Sequence, residues 1–241
     1  MATLSMMRSK AFDTADALGN RLLSPPLGGG FRQFVNHGSR SKQSIAFTFD
    51  DGPSVGGTED VVAALDACNA RGTFFCVGDN LRANAELARE MDAAGHVIGN
   101  HSQSHRRGDS LRLFSRPALD ASTQQFADVL GKRPRLYRPP WGWLTPWHGH
   151  RLHRAGYTIV GWDVYTLDWQ ESPPTPESIA QSIIDQAQPG SIVLLHDGRP
   201  GEPSFAKQVT GAALRIALPE LAAKGYSFET VPDLLDIAAY D

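Results

Sequence analysis

The chain has 241 residues, with 23 Lys and Arg against 26 Asp and Glu for a formal net charge of −3. This length holds one α/β barrel or two small domains, and it buries enough surface to fold without staples. A composition of 41% hydrophobic and 20% charged residues, with no basic block, argues against nucleic acid as a partner. No apolar run reaches the ~18–20 residues of a membrane span. The 2 cysteines, Cys68 and Cys76, make neither a disulfide scaffold nor a Cys-rich zinc site and read as reduced, buried thiols.

Residues 1–43 read as an N-terminal extension. Phe12, Ala15, Leu18 and Leu22 are spaced for a short amphipathic helix, which SPPLGGG at 24–30 breaks. Its mixed charges favour docking on the domain over a membrane surface. The segment lacks the apolar core of a signal peptide, so the expected location is cytoplasmic. From Ser44 onward the pattern is regular. Strands are expected at Ser44–Phe49, Thr73–Val77, His96–Gly99, Leu136–Tyr137, Tyr157–Trp162, Ser191–Leu195 and Tyr226–Glu229. Helices are expected at Glu59–Arg71 (N-cap Thr58), Asn80–Ala94, Arg116–Leu130, Pro146–Ala155, Pro176–Ala187, Ala206–Lys224 and Pro232–Ala239. Alternating strands and helices imply a parallel sheet, because each parallel connection needs a crossover. The expected architecture is one barrel-like α/β domain over 44–241.

Chemistry in such folds sits just past the C-terminal ends of strands. Ionisable residues fall there repeatedly: Asp50-Asp51, His101 and His105, Arg138, Asp163 and Asp168, and His196-Asp197. A turn at Gly52-Pro53 can swing Asp50 and Asp51 toward one site, and a cation would keep both ionised. His101 and His105, four apart, share a face on a helix or helical turn and with Asp51 make two imidazoles and a carboxylate, with positions left for water and substrate. The same ligand set occurs in non-haem iron oxygenases, so it does not decide the reaction alone. His196 suits a general acid, with Asp168 to orient it and stabilise its imidazolium and Trp169 to wall the pocket. Arg138, on a segment stiffened by Pro139 and Pro140, can hold Asp50 ionised as a bidentate pair. Trp141 can offer a backbone N–H to an oxyanion and its ring to a sugar face. His150 and His153 share a helical stripe but have no neighbouring carboxylate or Cys, and read as a solvated helix start. There is no G-x-S-x-G elbow, phosphate-binding P-loop or H-E-x-x-H.

The set as a whole resembles the polysaccharide deacetylases, the NodB-homology domain of carbohydrate esterase family 4, over about 44–235. The blocks that carry the resemblance are Thr48-Phe49-Asp50-Asp51-Gly52-Pro53, His101 to His105, Arg138-Pro139-Pro140-Trp141-Gly142, Asp168-Trp169 and Leu194-Leu195-His196-Asp197. The resemblance implies a distorted (β/α)7 TIM-like barrel. It also implies a divalent metal, usually zinc, on Asp51, His101 and His105, with Asp50 as general base positioned by Arg138. His196 would be the general acid tuned by Asp168, and Leu194 and Trp169 would line the pocket for the acetyl methyl. The reaction implied is hydrolysis of the N-acetyl group of an amino sugar. Trp141 stands where Tyr is more usual, and Tyr165 replaces a carboxylate often found before Thr166. Without a secretion signal or wall-binding module, a small soluble or lipid-linked amino sugar is expected rather than an insoluble polymer. The competing readings are a deformylase or amidohydrolase of a non-sugar amide and, in another class, a non-catalytic carbohydrate-binding protein. The sequence leaves the oligomeric state open.

Overall fold

The computed structural model describes residues 34–106, 116–206 and 208–241. The helix expected on Phe12, Ala15, Leu18 and Leu22, and the break after it, lie outside these residues. At the centre is β2 (Ser44–Asp50), buried at every position. Its alternation separates two cores. Ile45, Phe47 and Phe49 face the helices, whereas Ala46 belongs to an inner cluster with Phe75, Leu136, Trp162 and Ile192.

The other strands are β1 (Phe34–Val35), β3 (Thr73–Cys76), β4 (Val97–Asn100), β5 (Leu136–Tyr137), β6 (Thr158–Val160), β7 (Val164–Tyr165), β8 (Ile192–His196) and β9 (Ser227–Glu229). Eight of them form one path, β1-β6-β5-β4-β3-β2-β8-β7, and β9 pairs with the start of β2. Every pairing of named strands is parallel. Only residues 161–163 join β6, near one end of the path, to β7 at the other. So short a link spans roughly 14 Å at most, and the sheet therefore curls into an incomplete barrel.

The seam between the two edges is stitched by residues expected to lie outside the domain. β1 pairs with β6, the Gly38 N–H donates to the Gly190 carbonyl at 2.7 Å, and Arg40 meets Asp163 at 2.6 Å. The barrel domain thus reaches back to Phe34 rather than starting at Ser44. Asp163 also accepts the Ile192 N–H at 2.8 Å. Ile192 opens β8, so Asp163 sits at the end of that strand away from His196 and belongs to the seam, not to the rim of candidate site residues.

The helices are α1 (Gly57–Asp66), α2 (Gly78–Ala83), α3 (Ala85–Ala93), α4 (Arg116–Leu130), α5 (Pro146–Arg154), α6 (Pro176–Gln186), α7 (Gln208–Ala223) and α8 (Val231–Leu235). Thr145, Thr175 and Thr230 cap α5, α6 and α8, each with a proline in the first turn. Two expectations fail locally. Thr58 lies inside α1, where its hydroxyl accepts the Ser54 N–H and donates to Asp197. The single helix expected over Asn80–Ala94 breaks at Asn84, whose amide donates to the carbonyls of Pro53 and Pro203. Cys76 is buried and Cys68 half-buried. Among the described residues no helix is long and apolar enough to cross a membrane.

Candidate active site

The C-terminal ends of β2, β4, β5 and β8 meet at one rim, and the sheet ladder continues past them. The N–H groups of Asp51, His101, Arg138 and Asp197 donate to the carbonyls of Phe75, Cys76, Asn100 and Asp50. The loops therefore leave the barrel with strand-like rigidity. Asp51, Ser102, His105 and Trp141 have φ of 79°, 69°, 51° and 55°. Left-handed backbone is uncommon for residues other than glycine, and here it gathers at one place. His101 and His105 lie on no helix; kinks at Ser102 and His105 bring them together, stapled by the His105 N–H to Ser102 Oγ at 3.1 Å. Their ring centroids are 5.0 Å apart.

Asp51, His101 and His105 present one ligand atom each, all within 4.8 Å of one another. His101 Nε2 lies 3.6 Å and His105 Nε2 3.4 Å from Asp51 Oδ1. That oxygen is buried and has no hydrogen-bond partner. The Nδ1–H of His101 is directed at the Arg138 carbonyl, 2.7 Å away, so its Nε2 turns a lone pair inward. Burial foremost pushes His105 down to about 4 against the opposing pull of Asp51, so its ring is neutral near pH 7. Two imidazole lone pairs and a carboxylate oxygen facing one another are what a divalent cation requires. The residues fit such an ion.

Asp50 lies beside this group, with Oδ2 3.7 Å from His101 Nε2. Its Oδ1 accepts from Arg138 Nη1 at 2.8 Å. The pair is not bidentate: the same Nη1 also reaches Thr48 Oγ1, while Nε and Nη2 donate to the carbonyls of Val160 and Gly161. Arg138 is fully buried inside the barrel, with Phe75 4.2 Å and Trp162 5.5 Å from the guanidinium carbon. Small Ala46 and Thr48 on the inner face of β2 make room for it.

Across the sheet, Asp50 of β2 is in register with His196 of β8. His196 Nδ1 is 3.0 Å from Asp168 Oδ1, and its own N–H donates to Asp168 Oδ2. Asp168 is fully buried and also accepts from Thr210 and Thr166. Leu194 is half-buried, one inner-face position below His196. The Trp141 ring packs 4.3 Å from that of His105, and Trp169 is 56% exposed. His150 and His153 are exposed on α5.

Several supporting residues take roles that the sequence does not announce, Asp197 among them although it stands beside His196. Asp197 is fully buried and accepts from Gly52 N–H and Thr58 Oγ1; burial pushes its carboxyl up to about 7. A Cβ at Gly52 would sit 2.2 Å from Asp197 Oδ2, which is why glycine follows the two aspartates. The Asn80 amide donates to the Asp51 carbonyl, and Asn100 receives the Ser102 N–H and the Ser122 hydroxyl while donating to Tyr157. Only the position of Asn100, immediately before His101, hints at such a role.

A family model described as polysaccharide deacetylase matches residues 37–160. The chain belongs to the polysaccharide deacetylase family. It is 35% identical over 202 residues to a peptidoglycan-N-acetylglucosamine deacetylase of Bacillus cereus, covering 81% of this chain and 89% of that protein. It is 31% identical over 206 residues to a chitooligosaccharide deacetylase of Azorhizobium caulinodans, covering 80% and 95%. The crystal structure of the Bc1960 peptidoglycan N-acetylglucosamine deacetylase superposes with a TM-score of 0.79 at 28% identity, over 87% of this chain and 95% of that one. The single α/β domain with its curled parallel sheet is the deacetylase fold, and the chain is a hydrolase of the deacetylase class.

Proposed function

We propose that this deacetylase hydrolyses the N-acetyl group of N-acetylglucosamine units in an oligosaccharide or glycan, using zinc on Asp51, His101 and His105. One observation carries the reading: a base and an acid, Asp50 and His196, stand in register on adjacent strands beside the three ligands. The substrate class rests on the likeness to the two named deacetylases.

A divalent cation held by Asp51, His101 and His105 would supply polarisation of the amide carbonyl and acidify water. Asp50 Oδ2 takes the proton from the attacking water, while Arg138 holds Oδ1 and fixes the direction in which Oδ2 points. The Trp141 N–H donates to the developing oxyanion. Asp168 on Nδ1 stabilises His196 as imidazolium, and Nε2 passes its proton to the departing amine. The products are acetate and a free amino sugar.

Asp50→Asn tests the assignment. It removes the proton acceptor but none of the three ligands, so turnover should fall about 10²–10⁴-fold, the usual scale of general-base catalysis, with zinc content unchanged. Undiminished turnover refutes Asp50 as the base.

A further inference from the structure

Two rows of side chains cross the inner face of the sheet at the rim. The outer row contains Asp50 and His196; the row beneath it contains Thr48 and Leu194, by the β2–β8 register. The β7–β8 register extends this second row by one residue, because Tyr165 pairs with Leu194. Paired residues of parallel strands share a face. Val164 and Val193, one position earlier, both belong to the core facing the helices. Leu194 packs against the inner cluster, and Tyr165 therefore lies on the inner face too. β7 ends the sheet path, and Tyr165 is 50% exposed there.

This placement bears on the acyl group of the substrate and rests on the amide-hydrolysis reading above. With the carbonyl at the three ligands, the sugar must lie outward, since Arg138, Phe75 and Trp162 fill the barrel interior. The acyl chain then points down to the second row. Thr48 is committed there to Arg138 and to the Val193 carbonyl. The apolar contacts left in that row are Leu194 and, flanking it at the sheet edge, Tyr165.

We infer that Tyr165 is the outer wall of an acyl subsite floored by Leu194 and that it sets the length of N-acyl chain the enzyme accepts. On this inference the ring bounds the depth open to the chain, so a methyl is accepted in preference to a propyl. Trimming the ring opens the subsite through the free edge of β7; enlarging it closes the subsite further.

The test compares kcat/KM of the zinc-loaded enzyme on glucosamine oligomers carrying N-acetyl, N-propionyl or N-butyryl groups, for wild type, Tyr165→Ala, Tyr165→Phe, Tyr165→Trp and, as a control, Lys224→Ala, exposed just before β9 at the end of the sheet away from Asp50. Bound zinc and thermal unfolding are measured for each variant. One methylene in an apolar pocket is worth about 10–200-fold in discrimination, so Tyr165→Ala should raise the butyryl-to-acetyl ratio by about tenfold or more. Tyr165→Trp should lower the propionyl-to-acetyl ratio, while Tyr165→Phe and Lys224→Ala keep the wild-type pattern. A wild type as active on butyryl as on acetyl, or a Tyr165→Ala variant with an unchanged ratio, overturns the inference and leaves the deacetylase reading standing. A zinc-loaded wild type inactive on all three substrates overturns both.

Discussion

Asp50 is worked upon from three sides: a buried arginine holds one oxygen, His101 of the metal-ligand group lies near the other, and its backbone carries the β2–β8 ladder into the rim. The arginine is the most exposed to loss. Arg138→Met leaves Asp50 buried without its cation and should cost about 3–5 kcal/mol, the usual penalty for breaking a buried pair; urea unfolding reads it, and unaltered stability would contradict the pairing. Asp168 meets the site through His196. Asp168→Asn should lower kcat about 10²–10⁴-fold, the range of general-acid catalysis, with zinc content unchanged. A loss of zinc would instead make Asp168 part of the ligand framework. At this scale the residues that meet at the rim are largely legible, because proton transfer and cation binding would demand specific residue types. Asp-Asp-Gly-Pro, the spaced histidines and His196 mark themselves. Asp197 shows only as the neighbour of His196, and Asn80 and Thr210 not at all; only burial among donors makes these common polar residues structural.

The elements show where such legibility ends. Thr-Pro starts of α5 and α6 can be read directly, since a hydroxyl cap and a fixed φ are local properties. β1 and β7, two residues each, are too short to show any period and exist only through pairing with β6 and β8. The break at Asn84 likewise depends on two carbonyls distant in sequence. β4 carries a testable consequence of its own. His96 precedes it, 1% exposed, accepting the Gly72 N–H on Nδ1 and packed edge-on against Phe74. Burial foremost, then Arg71, pushes this imidazole from 6.5 down to about 4. Above 6.5 neither folded nor unfolded chain protonates it. Between 6.5 and about 4 the unfolded chain binds the extra proton, so stability falls as pH falls, and the loss levels off below about 4. The total should be on the order of 3 kcal/mol. His96→Gln should flatten this part of the stability–pH curve measured by denaturant unfolding; an equal slope in wild type and variant rules His96 out as its source.

For the molecule as a whole, the decisive feature is the seam. A barrel built from one parallel sheet must join its two edges, and here residues 34–43 and Asp163 do so. The sequence places Asp163 just after a strand, where a catalytic group would also stand, and nothing local separates the two roles. Asp163→Ala strands the Ile192 N–H and leaves Arg40 only its Nη1 bonds to Pro189 and Ser191. It should cost about 1–3 kcal/mol of stability, the penalty of one buried unpaired donor, without changing kcat or zinc content. A catalytic defect at full stability would move Asp163 back to the active site.

A cation held by Asp51, His101 and His105 and needed for amide hydrolysis makes acetate release depend on metal. The decisive measurement is release from N-acetylglucosamine oligomers of graded length by metal-stripped protein, before and after one equivalent of zinc. No release is expected from the stripped protein and full release on adding zinc. In the His101→Ala variant the same addition should restore nothing. Equal release with and without metal would contradict that dependence.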